Sequence, residues 1–340
     1  MTALRSFLDL ADLSPQQVEE LLDLARRLES RPEPRALEGK VLALLFLSPS
    51  LRTMTSFQAA MLRLGGGSFL ASKELGIHPL ETRSGAVMDQ DRAEHVKEAI
   101  PVLSSYGDAL GIRAFAPKIS LEDDLLDRDF EALASLSTVP VINMESAVSH
   151  PCQSLADWKT MDELAMPRNG GRFVLSWANH PKALPLAVPA STVHMAAMRG
   201  MDVTVLRPEG FELPERVMEK ARKAAKASGG SLRETTDRKK ALEGAHAIYA
   251  KSWSSTRHYG DAEGDASLRR SLSGWCVDDS WFATTAPECR FMHCLPVRRN
   301  VVVADSVLDG ERSVVLKQAR NRLFAQMAIL YSVLGPERKR

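Results

Sequence analysis

The chain contains 340 residues, which is enough for two α/β domains with separate cores. Its 44 basic residues nearly balance its 43 acidic residues, so composition excludes a general attraction to nucleic acid or to an anionic membrane. Four cysteines without a C-x-x-C pair exclude a disulfide-rich scaffold, and no apolar run is long enough to cross a bilayer. We therefore expect a cytoplasmic protein that holds any anionic ligand in a local cluster.

Short apolar runs alternate with helical periods along the chain. Strands are predicted at 41–47, 109–115, 139–143, 172–177, 202–206, 245–251 and 290–294. Helices are predicted at 14–28, 52–64, 92–104, 121–136, 150–164, 186–198, 214–227 and 318–334. This alternation predicts an α/β protein with two doubly wound domains, each a mostly parallel sheet with helices on both faces.

The predicted boundary between the two series lies near residue 147. The first domain is expected at 1–147, joined by the C-terminal helix at 318–340, and the second at 148–317. The polar stretch 254–273 is rich in Ser, Gly, Asp and Arg, and it predicts a mobile surface loop. Ligands in such folds bind beyond the carboxyl ends of the strands, where polar segments occur in this chain.

The first of these segments, S-P-S-L-R-T-M-T-S-F, follows the strand at 41–47. A helix beginning there directs unpaired amides and the positive end of its dipole towards an anion, and Arg52 can grip two phosphate oxygens. Ser50 and Thr53 can add hydroxyl donors, although a serine in this position is more often a plain N-cap. The chain has no Walker loop and no G-x-G-x-x-G, which argues against a dehydrogenase-type nucleotide binder.

Four further positions carry donors or acceptors at predicted element ends. His150 and Gln153 share one face of a first helical turn. Arg113 at a strand end is compatible with a ligand or a surface ion pair, and Arg322 with an exposed helix charge. His293 and the adjacent Cys294 could simply be a buried strand end, and no second Cys/His pair has the spacing of a metal site.

Taken together, these segments resemble the aspartate and ornithine carbamoyltransferases. The similar segments are S-L-R-T-M-T-S-F at 50–57, G-I-R-A-F at 111–115, H-P-C-Q at 150–153, H-C-L-P at 293–296 and N-R-L at 321–323. Met54 stands where the family has a second arginine, and His78 stands where one branch has a tryptophan that reaches a neighbouring subunit. The resemblance implies that carbamoyl phosphate is bound by Ser50, Leu51, Arg52, Thr53, His78, Arg113, His150, Gln153, Cys294, Leu295 and Arg322.

The absence of an acidic residue from one segment indicates the identity of the second substrate. Ornithine carbamoyltransferases carry a D-x-x-x-S-M-G segment whose acid pairs with the α-ammonium group of ornithine, and Lys251-Ser-Trp253 stands in the matching place. A lysine repels that cation but suits an acylated, neutral nitrogen. The stretches 81–89, 143–145, 177–181, 249–253 and 294–300 resemble the N-acylornithine branch. That likeness implies that the acylornithine is held by Glu145, His180, Lys251 and Arg298.

The last distinction is between a succinyl and an acetyl group on the acceptor. Val301-Val302-Val303 replaces a lysine of the N-acetylornithine type, as in the N-succinylornithine type, and 98–102 and 184–189 also look like the succinyl type. Ala93 falls where the acetyl type has glutamate and the succinyl type has proline. We expect N-succinylornithine as acceptor, with N-acetylornithine as the alternative, and ornithine or a non-catalytic relative behind them. The resemblance implies a homotrimer with shared sites, and no metal or cofactor is expected.

Overall fold

The computed structural model describes residues 4–72 and 80–336. The chain divides into two compact units, which we describe separately. Unit 1 holds the described residues up to 117, residues 122–152 and those from 322 onwards, whereas unit 2 holds 118–121 and 153–321. Among the described residues, no helix is both long enough and apolar enough to cross a membrane.

Unit 1 contains a four-stranded parallel sheet and a short parallel strand pair. Its strands are β1 (Val41–Phe46), β2 (Gly67–Ser72), β3 (Leu80–Glu81), β4 (Glu94–His95), β5 (Ala109–Arg113) and β6 (Val141–Glu145). Its helices are α1 (Pro15–Ser30), α2 (Leu51–Arg63), α3 (Val96–Tyr106), α4 (Leu121–Leu125) and α5 (Arg128–Ser135). The order of the main sheet is β2-β1-β5-β6, so the topology reverses direction between β1 and β5.

Strand β1 lies in the core of unit 1 because it is apolar on both faces. Ala43 and Leu45 pack in one cluster with residues of α3 and α5, and Leu42 and Leu44 are buried on the opposite face. The chain then leaves the sheet and enters α2 at the N-cap Ser50. The carboxyl ends of β1 and β5 are therefore the predicted ligand-binding edge of this sheet.

Unit 2 contains a five-stranded parallel sheet. Its strands are β7 (Arg172–Trp177), β8 (Asp202–Leu206), β9 (Ser231–Thr235), β10 (Ala247–Lys251) and β11 (Arg290–Met292), in the order β11-β10-β7-β8-β9. The remaining helices are α6 (Pro151–Glu163), α7 (Ala187–Met198), α8 (Glu215–Ser228), α9 (Arg238–Leu242), α10 (Ala262–Arg270), α11 (Asp305–Leu308) and α12 (Val315–Leu334). Here the topology reverses between β7 and β10, so segments 178–181 and 251–253 follow the two switch-point strands.

The predicted fold class is confirmed, whereas two local predictions are wrong and two strands of the main sheets were missed. The predicted loop at 254–273 contains α10, in which Asp265 and Arg269 are buried and form an ion pair. The helix predicted at 121–136 is two helices, because Asp127 adopts a left-handed φ of 55° between them. Strands β2 and β9 were not predicted, and β9 has only one apolar residue because it is an edge strand.

Candidate active site

The start of α2 in unit 1 is held by its own side chains. Ser50 is the N-cap, and its Oγ accepts a hydrogen bond from the Thr53 amide at 3.3 Å. Ser50 therefore does cap the helix, and the first amides of α2 have no intrahelical acceptor. The Leu51 side chain is exposed, so that residue offers a ligand only its backbone. This end of α2 can bind an anion through amides and the helix dipole.

Arg322 from α12 reaches this helix start. Its Nη2 donates to Thr53 Oγ1 at 2.7 Å, and its side chain is only 2% exposed. Burial lowers the pKa of Arg322 to about 10, with the charges of Arg113 and Arg52 acting in the same direction. The three guanidinium groups therefore belong to one electrostatic cluster. Interpreting Arg322 as an exposed helix charge was wrong, because α12 is buried around this residue.

Arg113 and His150 share one carboxylate oxygen in unit 1. Arg113, 6% exposed, donates from Nη1 to Glu145 Oε2, and His150 Nε2 lies 3.3 Å from the same oxygen. The Arg113 guanidinium also lies 4.5 Å from the centroid of the Phe115 ring. Arg113 is thus in an ion pair, as one interpretation expected, but the pair is buried rather than on the surface. The pair of donors holds an anionic oxygen, as a site that polarises a carbonyl requires.

Two arginines of this cluster each have a buried nitrogen without a hydrogen-bond acceptor among the described residues. The two nitrogens are Nε of Arg113 and Nε of Arg322, and no described residue accepts from either. Buried guanidinium nitrogens are normally paired, so both are available to a ligand with several acceptor oxygens. A phosphate group supplies such oxygens.

The loop that leads to His150 is fixed by Asp127. This carboxylate accepts from the Ser146 hydroxyl and, at 3.0 Å, from the Ala147 amide. Burial raises the pKa of Asp127 to about 6, although those hydrogen bonds oppose the shift. Burial also raises the pKa of the Cys152 thiol to about 12, which excludes that cysteine as a nucleophile at neutral pH.

In unit 2, Gln153 begins a buried chain of amide and carboxylate groups. Its Nε2 donates to Asp157 Oδ1 at 2.8 Å, and Gln318 Nε2 donates to the same oxygen at 2.9 Å. Gln318 Oε1 accepts from the His293 amide at 3.0 Å. Sequence reasoning missed Asp157 and Gln318. The four-residue spacing of Gln153 and Asp157 on a helix was the available signal for the first.

The turn after β11 has an unusual backbone. Leu295 adopts a φ of 57° and is joined to Pro296 by a cis peptide bond. The Leu295 amide donates to His293 Nδ1 at 2.8 Å. A branched residue with positive φ is rare and occurs preferentially at functional sites. Cys294 is buried at this turn, two residues beyond the end of β11.

Lys251, His180 and Arg298 of unit 2 lie at or beyond the carboxyl ends of β10, β7 and β11 respectively. Lys251 is half-buried at the end of β10, where its carbonyl accepts from the Ala178 amide at 3.1 Å. Arg298 Nε donates to His180 Nε2 at 3.2 Å, and His180 Nδ1 lies 2.9 Å from the Lys182 carbonyl. In the part of the chain that the structure describes, neither Lys251 nor Arg298 has an ion pair with a carboxylate. Arg298 itself is exposed, whereas His180 is half-buried.

The pKa of His180 is lowered by burial and by the positive charges of Lys251 and Arg298. These effects favour the neutral imidazole, whose Nε2 faces Arg298 and whose Nδ1 lies against both the carbonyl and the amide of Lys182. This group of Lys251, Arg298 and neutral His180 favours an anionic ligand and disfavours a cationic one.

A second missed feature anchors the segment 251–253. Arg269 of α10 donates to Ser252 Oγ at 2.8 Å and to the Trp253 carbonyl at 2.6 Å. Trp177 Nε1 donates to the same carbonyl at 3.1 Å. The available signal was the i,i+4 spacing of Asp265 and Arg269, which is typical of a helix. The position of Lys251 is thus set by buried neighbours, although its side chain is partly exposed.

The residues implicated by sequence fall into three groups. Unit 1 brings together Ser50, Arg52, Thr53, Arg113, Glu145, His150 and Arg322 by contact or charge. Unit 2 connects Gln153 to the turn at 293–295 through Asp157 and Gln318, and it groups His180, Lys251 and Arg298. His78 lies outside the described residues.

Comparison with known proteins identifies two family domains in this chain. Residues 5–163 match the model of the carbamoyl-P binding domain of aspartate/ornithine carbamoyltransferase. Residues 187–333 match the model of the Asp/Orn binding domain of the same family.

Two curated relatives and one solved structure are similar over most of the chain. The N-acetylornithine carbamoyltransferase of Xanthomonas campestris pv. campestris is 38% identical over 99% of this chain and 99% of its own length. The N-succinylornithine carbamoyltransferase of Bacteroides fragilis is 36% identical over 87% of this chain and 88% of its own. A crystal structure of a glutamate-to-alanine variant of N-acetyl-L-ornithine transcarbamylase, complexed with carbamyl phosphate and N-succinyl-L-norvaline, matches with a TM-score of 0.93 and 38% identity, covering 97% of this chain and 100% of that one.

Proposed function

Because this chain belongs to the aspartate/ornithine carbamoyltransferase family, in its N-acylornithine branch, we propose that it transfers the carbamoyl group of carbamoyl phosphate to the δ-amine of N-succinyl-L-ornithine. The products are N-succinylcitrulline and phosphate. A citrulline derivative of this kind suits a step in arginine biosynthesis.

The arginine cluster of unit 1 supports carbamoyl phosphate as the donor. The amides at the start of α2 together with Arg52, Arg113 and Arg322 offer the charge and the hydrogen-bond donors that a phosphate dianion needs. Ser50, Leu51 and Thr53 complete the helix end. In this proposal Arg113 and His150 exchange the Glu145 carboxylate for the substrate, so that both donate to its carbonyl oxygen.

The acceptor proposal rests on one observation, the cationic group around Lys251. Lys251 and Arg298 have no carboxylate partner among the described residues, so an α-ammonium group brought there meets repulsion. Acylation of the α-nitrogen removes that charge and leaves an amide. Glu145, once released by Arg113 and His150, is an acceptor for the amide N–H. Arg298, Lys251 and His180 then face the carboxylates of the acceptor.

The chemistry is a direct displacement at the carbamoyl carbon. The neutral δ-amine forms the new C–N bond while the C–O bond to phosphate breaks, and the phosphate departs with the bonding electrons. An alkyl amine has a pKa of about 10.4, so the protein must bind the neutral form or remove a proton. The departing phosphate takes the proton lost by the attacking nitrogen. Negative charge grows on the carbonyl oxygen during attack, where Arg113, His150 and Thr53 stabilise it.

The succinyl group is favoured over the acetyl group by charge and by local likeness. Its distal carboxylate suits the cationic group of Lys251 and Arg298, and a charge-assisted hydrogen bond is worth about 1.5–3 kcal/mol. Val302 stands where the acetyl type carries a lysine, and Ala93 stands where it carries a glutamate. The solved relative that binds N-succinyl-L-norvaline is itself a glutamate-to-alanine variant, which is compatible with alanine at such a position.

The test compares three acceptors at equal carbamoyl phosphate. We expect kcat/KM for citrulline-group formation to be highest with N-succinylornithine, then N-acetylornithine, then ornithine. A reaction without enzyme measures uncatalysed carbamoylation of each acceptor and is subtracted. Ornithine as the best acceptor would overturn the N-acyl proposal, and N-acetylornithine as the best would overturn only the choice of acyl group.

We also propose a homotrimer in which His78 acts at the site of a neighbouring subunit. Sedimentation of the purified chain measures the oligomer. His78→Ala and Arg322→Ala subunits, each of low activity, should regain activity when mixed into hybrid trimers, because some sites then receive both intact residues. Verified hybrids that stay inactive would contradict a shared site.

A further inference from the structure

Within unit 2, the buried carboxylate of Asp157 connects Gln153 to the turn at 293–295, and both belong to segments that resemble carbamoyl-binding motifs. Asp157 is fully buried on α6, one helical turn beyond Gln153. Its Oδ1 accepts from Gln153 Nε2 at 2.8 Å and from Gln318 Nε2 at 2.9 Å. An oxygen that accepts two N–H bonds carries no proton, so it faces donors only.

This arrangement determines which way the Gln153 amide points. With Nε2 directed at Asp157, the carbonyl Oε1 must point away from that carboxylate. The oxygen is buried and accepts no hydrogen bond from any of the residues 4–72 and 80–336. A buried carbonyl oxygen without a donor is costly, which makes it a binding position for a ligand N–H.

The same carboxylate acts on the turn after β11 through Gln318. Because Nε2 of Gln318 is directed at Asp157, its Oε1 is directed at the His293 amide, 3.0 Å away. His293 in turn accepts from the Leu295 amide through Nδ1 at 2.8 Å. The backbone of the turn is therefore connected to Asp157 by a chain of hydrogen bonds, and in each of them the donor lies on the side away from Asp157. If a side-chain amide in this chain were flipped, so that its oxygen and nitrogen changed places, its hydrogen bonds to the neighbouring groups would be lost.

We propose that Asp157 is a positioning residue for recognition of the carbamoyl NH2 group. It holds Gln153 Oε1 as an acceptor for one N–H and, through Gln318, holds the carbonyls of Cys294 and Leu295 as acceptors for the other. The inference rests on the proposed function, since it assumes that carbamoyl phosphate is the donor substrate. It goes further by assigning the discrimination between an amide and an isosteric group to a residue that does not touch the substrate.

The experiment measures binding of two analogues of equal shape by calorimetry. Phosphonoacetamide carries the CO–NH2 group, and acetonylphosphonate carries CO–CH3 in its place. We expect the unaltered protein to bind the amide roughly ten- to a hundredfold more tightly, because a methyl group leaves the buried acceptors unpaired. If neither analogue nor carbamoyl phosphate binds, the proposed function itself is contradicted. Equal affinity for the two analogues would overturn only this inference.

Two substitutions of Asp157 separate positioning from charge. Asp157→Ala removes the shared acceptor, so the preference for the amide should fall to within about threefold, while affinity for inorganic phosphate is unchanged. Asp157→Asn keeps one oxygen that can accept both N–H groups and should retain most of the preference. A preference that survives in Asp157→Ala would overturn the inference, as would equal loss in both variants, which would indicate a role for charge alone.

The matched control is Glu163→Ala on the same helix. Glu163 also accepts from an amide of α12, Asn321 Nδ2 at 2.9 Å, but it has no hydrogen bond to Gln153 or Gln318 among the described contacts. It should keep the preference for the amide whatever it does to stability. Loss of the preference in this control would show that weakening α6 is sufficient, and the inference would fail.

A second variant keeps the test decisive if Asp157→Ala does not fold. In Gln153→Glu the new carboxyl and Asp157 share one proton, as adjacent buried carboxyls do, and the outward oxygen remains an acceptor. We expect this variant to keep its preference for phosphonoacetamide. If Gln153 instead presented its NH2 group to the ligand, the substitution would abolish the preference and the inference would be wrong.

Discussion

The buried arginines of unit 1 and the cationic residues of unit 2 differ in how they are held. Arg113 and Arg322 are buried and are each bonded to another side chain of unit 1. Lys251 is half-buried at the end of β10, and Arg298 is exposed in the segment that follows β11. Burial makes the first group rigid. It also makes the group sensitive to substitution, since the loss of one side chain leaves its buried partner without a hydrogen bond. The second group can change without disturbing a core.

This difference suits the two ligands. A phosphate group has one shape and charge, so its binding residues can be built into strand ends and a helix start. The proposed acceptors differ in their acyl group, and the side chains proposed to bind them can be replaced at little cost to the fold. We therefore expect substitutions in unit 1 to abolish function or alter stability, and those in unit 2 to change the choice of acceptor.

The largest effect is expected at the start of α2. Arg52→Ala should lower kcat/KM by about a thousandfold and abolish calorimetric binding of carbamoyl phosphate, because a phosphate-facing donor is lost. Arg63→Ala, at the exposed far end of the same helix, is the control and should leave both unchanged. An unaltered affinity of Arg52→Ala for carbamoyl phosphate would contradict the proposal that the start of α2 binds phosphate.

Reversing the charge at Lys251 should redirect the acceptor preference. In Lys251→Glu the ratio of kcat/KM for ornithine to that for N-succinylornithine should rise about a hundredfold, since a carboxylate now faces the α-ammonium and repels the succinyl carboxylate. Lys239→Glu on α9 is the control, because that lysine is exposed. Identical ratios in the two variants would contradict the acceptor role of Lys251.

A smaller effect concerns stability in unit 1. The folded-state pKa of Asp127 is raised to about 6, above its ordinary value, so its contribution to stability is fully present below that ordinary value and is lost as pH rises through 6. Between pH 5 and pH 8 the loss is about 1 kcal/mol of unfolding free energy. Asp127→Asn should remove this pH dependence in urea unfolding.

Circular dichroism is the suitable signal for that measurement, because all five tryptophans lie in unit 2. The exposed Asp129→Asn serves as control and should keep the dependence of the unaltered protein. If Asp127→Asn and Asp129→Asn respond alike to pH, the raised pKa of Asp127 is not the cause.

The smallest effect is expected at Ala93. Ala93→Glu should shift kcat/KM towards N-acetylornithine relative to N-succinylornithine by about tenfold or less, because a glutamate repels the distal succinyl carboxylate. Ala132→Glu on α5 adds the same charge at another exposed position and should not alter the ratio. An unchanged ratio in Ala93→Glu would show that position 93 does not take part in selecting the acyl group.

The parts of the fold that local patterns determine could be predicted from sequence. The apolar run Val41–Phe46 followed by Ser50 predicts a strand and a capped helix, and the structure contains both. The positions of Arg113 and Lys251 at strand ends followed from the same alternation of elements. The structure agrees because neighbouring residues alone decide these features.

Features that depend on distant partners could not be predicted in this way. Asp157 and Gln318 are 161 residues apart, and neither has a sequence motif that indicates their contact. Arg322 looks like a surface charge on a helix until Thr53 is brought to it by the fold. The predicted loop at 254–273 was wrong because its polar residues include Asp265 and Arg269, which neutralise each other in the interior.

Helix α12 has a consequence for the order in which function appears during synthesis. It is the last element of the described chain, and it provides Arg322 to the cluster of unit 1 and Gln318 to the network of unit 2. A growing polypeptide is made from its amino end, so every strand of both sheets leaves the ribosome before these two side chains. The unfinished chain therefore lacks part of each proposed binding region. An interrupted translation product that stops before α12 should bind no carbamoyl phosphate, even where its sheets have formed.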